Sequence, residues 1–196
     1  MVNRLKAPVA KKIAHVLEMH GHKRTDHYYW MRDDERKHPE IIDHLNVENN
    51  YLKSMMVHTE TFQEKLYSEM IGRLKKEDSS VPVRMRGYWY QAKFDKNHEY
   101  PVHVRRKDHD NAKEEILFDV NEMAKEYSYF NLGGYYISPD NKIAVFATDT
   151  LSRRIYTIEF KDLSTGKILK DKLECASDQV FWANDNQTVF YIKKDM

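Results

Sequence analysis

A serine nucleophile of the Gly-x-Ser-x-Gly type would leave a local pattern that can be searched for directly. This turn places the serine two positions after a glycine, because a tight strand-to-helix turn must expose the hydroxyl group. The residues at that spacing from the six glycines include neither serine nor cysteine: they are Lys23, Leu74, Trp89, Tyr135, Tyr136 and Ile168. No local signature of a catalytic triad is present, so we assign no catalytic residue to the chain.

Two other groups of residues could in principle do chemistry. The single cysteine, Cys175, matches no cysteine-peptidase signature, and we predict a partly buried, inert thiol. Four histidines lie close together, at positions 15, 20, 22 and 27, but they lack zinc-finger spacing and form no His-Glu-x-x-His motif. They are predicted to be structural or surface residues. The chain also has no glycine-rich phosphate loop, so neither a metal nor a cofactor is expected.

Composition limits the possible partners and location. The 196 residues are 41% hydrophobic and 32% charged with a net charge of +1, which is typical of a soluble globular protein. This balance gives no electrostatic reason to bind nucleic acid or an anionic membrane. One cysteine and no signal-peptide core predict a cytoplasmic protein, and a periplasmic location is also compatible with the lack of disulfides.

The first part of the chain has the spacing of amphipathic helices. Pro39 suits a first helical turn, and apolar residues then recur at mostly helical intervals up to Met70. The capping-box spacing of Thr61 and Glu64 predicts a break near residues 58–61. The methionines of this stretch, Met55, Met56 and Met70, are expected to fill a core. The polar residues 75–80 form a candidate linker.

The rest of the chain has the pattern of antiparallel strands. Residues 81–120 predict about four strands, with a turn at Arg86-Gly87 and with Pro82 and Pro101 near strand starts or on edges. Further strands are predicted over 142–146, 154–160 and 167–173, with a hairpin turn at 162–166.

A repeat of 45 residues links two of these stretches. Shifting the sequence by this length aligns Asp140 with Asp185 and Asn141 with Asn186, without a gap. A period near this length indicates β-propeller blades. The chain would then end about halfway into a third blade, so we expect it either to continue in a longer protein or to associate with copies of itself.

One segment is more specific than any of these patterns. Residues 20–34, HGHKRTDHYYWMRDD, resemble the N-terminal signature of the prolyl oligopeptidase family of serine peptidases, in the form found in its oligopeptidase B branch. The resemblance implies an α+β chain in which an N-terminal α-helical segment (1–76) precedes antiparallel blades of an incomplete propeller (77–196). The parent propeller would have seven blades, and a C-terminal α/β-hydrolase domain would carry the catalytic triad.

The resemblance also implies a function and a site. The parent would be a serine endopeptidase that cleaves short peptides after Arg or Lys, with this portion gating substrate entry. Six residues would help dock the N-terminal segment on the hydrolase domain: Tyr28, Tyr29, Trp30, Arg32, Asp33 and Asp34. Alternatively, these aromatics are ordinary packing residues and the acids are helix-start residues. The second functional hypothesis is a non-enzymatic, propeller-like module that binds peptides or proteins through exposed strand edges.

Overall fold

The computed structural model describes residues 6–195, which form two compact units divided between Leu74 and Lys75. We describe each unit by itself. The first contains a hairpin and two helices, and the second contains two antiparallel sheets and one short helix. None of the helices within residues 6–195 has the length and hydropathy needed to cross a membrane.

The first unit begins with a β-hairpin that the sequence analysis did not predict. Strands β1 (His15–Met19) and β2 (His22–Asp26) pair antiparallel across a two-residue turn at His20 and Gly21. Both turn residues have positive φ angles, 52° and 78°. Such a turn matches the natural twist of a hairpin. The N-terminal segment over 1–76, expected to be α-helical, thus contains a hairpin at residues 15–26 before its helices.

Two helices follow, with the break where the sequence predicts it. Helix α1 (Pro39–Met56) begins with Pro39 in its first turn, a single 3-10 turn covers Val57–Thr59, and helix α2 is Glu60–Gly72. The predicted cap is wrong by two residues, because Thr59 rather than Thr61 precedes α2. The Thr59 hydroxyl donates to the Met56 carbonyl at 2.7 Å and accepts from Gln63 Nε2 at 2.7 Å.

The first sheet of the second unit confirms the four strands predicted over 81–120. Its strands pair antiparallel in the order β3-β5-β6-β7, with β4 also on β5. The turn at Arg86-Gly87 is present, and each of the two prolines directly precedes a strand. The short β3 was not predicted. The bounds are β3 (Asp78–Ser79), β4 (Val83–Met85), β5 (Tyr88–Phe94), β6 (Val102–Lys107) and β7 (Glu114–Asp119).

A short helix, α3 (Val120–Ala124), follows β7 directly. The Asp119 carboxylate accepts the backbone N–H groups of Asn121 and Glu122 at 3.1 and 3.2 Å. Because this carboxylate satisfies donors that a helix start leaves unpaired, the chain turns into a helix at Val120, which the sequence analysis had placed at the end of a strand.

The second sheet has the order β12-β11-β10-β9-β8, all antiparallel. Strand β11 is much longer than the predicted return strand. Its first part pairs with β10, its last part pairs with β12, and the register shifts between Ala176 and Val180. The bounds are β8 (Asn131–Ile137), β9 (Ile143–Asp149), β10 (Tyr156–Asp162), β11 (Ile168–Trp182) and β12 (Val189–Lys193).

The 45-residue repeat is visible in the backbone of two turns. The N–H of Ser138 donates to the carbonyl of Ile143 at 2.8 Å, and 45 residues later Ala183 donates to Thr188 at 2.9 Å. Asn141 and Asn186 hold equivalent positive φ angles, 63° and 61°. The Asn186 side-chain oxygen also accepts the Asp140 N–H at 2.8 Å, which joins the two turns.

Among residues 6–195, every buried apolar residue lies in the second unit, and most of them form two clusters. One lies between the two sheets and includes Tyr90, Leu117, Phe118 and Phe146, and the other packs Ile158 and Val180 on the opposite side of the second sheet. Gly133 of β8 lies so close to β10 and β11 that a Cβ atom there would lie 2.4 Å from Tyr156 Cε1 and 2.7 Å from Asp178 Cβ. This spacing requires glycine there.

Candidate functional site

The predicted docking segment, residues 28–34, follows the hairpin and leads into α1. Tyr29–Met31 form one 3-10 turn. The Tyr28 N–H donates to Asp26 Oδ1 at 2.8 Å, while its side chain is 44% exposed. The Asp26 side chain therefore fixes the start of the turn to the end of β2, and the Tyr28 ring is available for contact.

The two other aromatic residues of the segment have partners within their own unit. The Tyr29 ring stacks on His15 at a centroid distance of 4.0 Å. The Trp30 indole N–H donates to the Lys11 carbonyl at 2.9 Å, and its ring lies 5.8 Å from that of His44 in α1. Trp30 thus connects the irregular segment before the hairpin with the first helix.

Of the charged residues of the segment, one is bonded within the local fold and two are exposed. Asp33 accepts backbone N–H groups from Glu35, Lys37 and His38, at 3.1, 2.5 and 2.7 Å, and so closes the loop before α1. These bonds, that from His38 first, lower the pKa of Asp33. Arg32 and Asp34 form an exposed ion pair at 3.1 Å, and this contact raises the pKa of Arg32.

The structure therefore separates the six docking candidates into two groups. Tyr29, Trp30 and Asp33 hold the local fold, which agrees with the packing alternative, whereas Tyr28, Arg32 and Asp34 are exposed. The contact residues Lys11, His15 and His44 were missed, because single aromatic contacts over this distance leave no periodic signal in the sequence. Docking itself stays a prediction.

The helices of the first unit carry a large exposed apolar surface. No residue between 6 and 74 is buried, so the expectation that Met55, Met56 and Met70 fill a core is wrong within the described chain. A groove of about 650 Å³ lies between the two helices, and its apolar lining comes from Leu52, Met56, Phe62 and Leu66. The apolar face of these helices is thus exposed within residues 6–74.

Residues with possible metal or redox chemistry are not assembled into a site. Within residues 6–195 no three His, Cys, Asp or Glu side chains come together as metal ligands could. Cys175 is partly buried, as predicted, and sits at the irregular point of β11 with a φ angle of 56°. Its carbonyl accepts the Lys194 N–H at 2.7 Å, which ties the point where β11 changes partner to the end of β12.

Strand β8 is an edge of its sheet, and the carbonyl groups of its last two residues accept side-chain hydrogen bonds. The Trp182 indole N–H donates to the Tyr136 carbonyl at 3.0 Å, and Arg86 Nη1 donates to the Ile137 carbonyl at 3.0 Å. These side chains come from the neighbouring blades and border an apolar cavity of about 410 Å³. Because an added strand needs free backbone groups, a peptide is not expected to pair with this end of β8.

The blade repeat, the shared strand β11 and the helical segment before the first sheet define an incomplete β-propeller protein. The family profile described as "Prolyl oligopeptidase, N-terminal beta-propeller domain" matches residues 8–196. The chain belongs to the prolyl oligopeptidase family and corresponds to the N-terminal region of oligopeptidase B-like proteins. This confirms the resemblance carried by residues 20–34.

The relatives agree with this placement. The chain is 42% identical to "Dipeptidyl aminopeptidase BI" of Pseudoxanthomonas mexicana over 95% of its length, and 31% identical to "Protease 2" of Moraxella lacunata over 97%. It spans 28% of each of these relatives. Among solved structures, oligopeptidase B from Leishmania major is similar over 97% of this chain, which covers 29% of the oligopeptidase B chain. The sequence identity is 28% and the TM-score is 0.85.

Proposed function

We propose that this chain is the non-catalytic N-terminal and propeller portion of a serine endopeptidase that hydrolyses short peptides after Arg or Lys. The observation that carries the proposal is the fit, over nearly the whole chain, to oligopeptidase B structures from Leishmania major and Trypanosoma brucei, with TM-scores of 0.85 and 0.84. The second of these holds covalently bound antipain. In this proposal the nucleophile belongs to the catalytic domain, since no serine within these residues has the Gly-x-Ser-x-Gly spacing.

The first unit would dock the catalytic domain. Its helices expose apolar residues along both α1 and α2, and an exposed apolar surface of this kind marks an interaction site. The exposed members of the docking segment, Tyr28, Arg32 and Asp34, would add polar and aromatic contacts beside it. The blades of the second unit, together with the remaining blades of the parent, would limit entry to short basic peptides.

The docking role can be tested in the native protein with two matched variants. Arg32→Ala removes an exposed guanidinium from the segment, and Arg36→Ala removes one from the same loop, four residues later. Only the first is expected to lower peptidase activity and the temperature at which the catalytic domain unfolds. Equal effects of the two variants would contradict the docking role of Arg32 without affecting the assignment to a peptidase.

A second specificity has its own support. The relative with 42% identity is named "Dipeptidyl aminopeptidase BI", and it is more similar to this chain than the "Protease 2" relative is. The alternative is therefore a serine peptidase that releases dipeptides from a free amino terminus. The two specificities differ in whether the enzyme accepts a substrate whose amino group is blocked.

The experiment that tests the proposal uses the native gene product isolated from its own cells. A fluorophosphonate probe reports an activated serine, and two fluorogenic peptides, one N-blocked and ending in Arg-Arg and one a free dipeptide, report specificity. Labelling with cleavage of the blocked peptide supports the endopeptidase, whereas cleavage of the free dipeptide alone supports the dipeptidyl peptidase. A product that takes no label would contradict both peptidase proposals and favour the non-enzymatic binding module.

Fractionation of the same cells tests the proposed cytoplasmic location against a periplasmic one.

A further inference from the structure

A polar cavity lies in the second unit between strand β7, strand β10 and the turns at 138–142 and 162–167. Its volume is about 590 Å³. Four cationic side chains and two carboxylates line it: Arg105, Lys107, Lys142, Lys161, Glu115 and Asp140. Four positive charges against two negative ones leave the cavity with a formal charge of +2.

Two of the four cations have a counter-charge of their own. Arg105, whose side chain is 5% exposed, donates from Nε to Glu115 Oε2 at 2.8 Å and from Nη1 to the Asn141 carbonyl at 3.1 Å. Lys142 lies 3.4 Å from Asp140 Oδ2. Neither Lys107 nor Lys161 forms an ion pair with a carboxylate of residues 6–195.

Lys161 is the informative member of this pair, because its side chain is partly buried. Its Nζ donates to the Leu117 carbonyl at 2.6 Å and lies 5.1 Å from the centre of the Phe118 ring. An ammonium group has three N–H donors, and the Leu117 carbonyl accepts one of them. Burial lowers the pKa of Lys161, as expected for an ammonium held among protein atoms without a counter-charge.

We propose that this cavity binds a small oxyanion with two negative charges, of the phosphate class, through Lys161 and Lys107. The ligand would supply the counter-charge that both lysines lack and would accept the free N–H donors of Lys161. Charge-assisted hydrogen bonds of this kind are shorter and stronger than neutral ones. The site is separate from the proposed peptidase function, and its test needs no peptidase activity.

Inorganic phosphate is the probe, at about pH 8, where a phosphate group carries two negative charges. Binding to the chain is measured by calorimetry and by the rise of its melting temperature, against sodium chloride of equal ionic strength. Lys161→Met keeps most of the apolar stem and removes the charge. Lys170→Met, in the exposed part of β11 and outside the cavity, is the matched control.

The expected result is a saturable stabilisation by phosphate that Lys161→Met weakens about tenfold or more and that Lys170→Met leaves unchanged. Lys161→Arg keeps the positive charge and should retain most of the stabilisation by phosphate, even if the methionine variant folds poorly. Equal stabilisation by acetate at the same ionic strength would overturn the match to a dianion. Unchanged phosphate binding in Lys161→Met, or equal loss in both methionine variants, would overturn the site itself.

Discussion

The two units differ in where their apolar side chains lie. The second unit buries Val145, Ile158, Val180 and their neighbours completely, in clusters shared by neighbouring blades. The first unit has apolar residues at helical spacing but buries none of them. Burial of apolar surface is the main favourable contribution to folding. The second unit therefore has its own source of stability, whereas the described helices of the first gain little from burial within residues 6–74.

The largest expected effect tests that contrast directly. Ile158 is 0% exposed, and Ile158→Ala should lower the free energy of unfolding by about 2–5 kcal/mol, because it leaves a cavity in a packed core. Leu52 is 57% exposed, and Leu52→Ala should change it by less than about 0.5 kcal/mol. Urea denaturation of the chain measures both. Comparable losses would show that the α1 face is already covered.

A second test concerns the close approach of β8 to β11. Gly133→Ala introduces a Cβ atom against Tyr156 and Asp178 and should cost about 1–3 kcal/mol through overpacking. Gly72→Ala is the control, because no atom lies within 4 Å of the position of its Cβ at the end of α2. It should be neutral or slightly stabilising, since alanine is the better helix former. A tolerated Gly133→Ala would mean that the blades can separate at low cost.

A third test concerns the loop between β9 and β10. The buried Asp149 carboxylate accepts the backbone N–H groups of Leu151, Arg153 and Arg154, at 2.8, 3.0 and 2.7 Å. Asp149→Ala removes these acceptors and should cost about 1–3 kcal/mol. Trypsin should then cleave the variant after Arg153 and Arg154, while the chain without the substitution resists cleavage there. Early cleavage of the unsubstituted chain at this loop would contradict the rigidity inferred from these bonds.

The smallest effect is expected in the first unit and depends on pH. The folded-state pKa of Asp33 lies below its ordinary value of 3.8, so its stabilisation of the loop before α1 is present above that value. It is lost as the pH falls through the lowered folded-state pKa. Amide exchange at Lys37 and His38 should therefore accelerate below about pH 3.8 relative to its intrinsic rate. Asp33→Asn should remove this pH dependence, and an unchanged profile would contradict it.

The sequence predicted the elements that depend on a periodic pattern. The helix start at Pro39, the break before α2, the strands of the first sheet and the 45-residue repeat all follow from spacing or from turn residues. These features are local, so composition and order alone contain the signal.

Features without a periodic pattern in the sequence were missed. The hairpin β1-β2 has charged and polar residues on strands that are mostly exposed, so it shows no alternation of apolar and polar positions. The roles of Trp30 and Asp33 depend on Lys11 and on the backbone of the loop before α1. In the same way, the uncompensated Lys161 becomes apparent only when β7 is placed beside it.

Strand β11 has a consequence for how such propellers can be divided and recombined. Its first part completes one blade and its last part begins the next, so the sequence repeat and the unit of hydrogen bonding do not share a boundary. A blade exchanged between relatives at Cys175 would cut one continuous strand. An exchange at the turn of residues 183–188 would leave each ladder of hydrogen bonds whole. We expect chimeras joined at such turns to fold more often than those joined between blades.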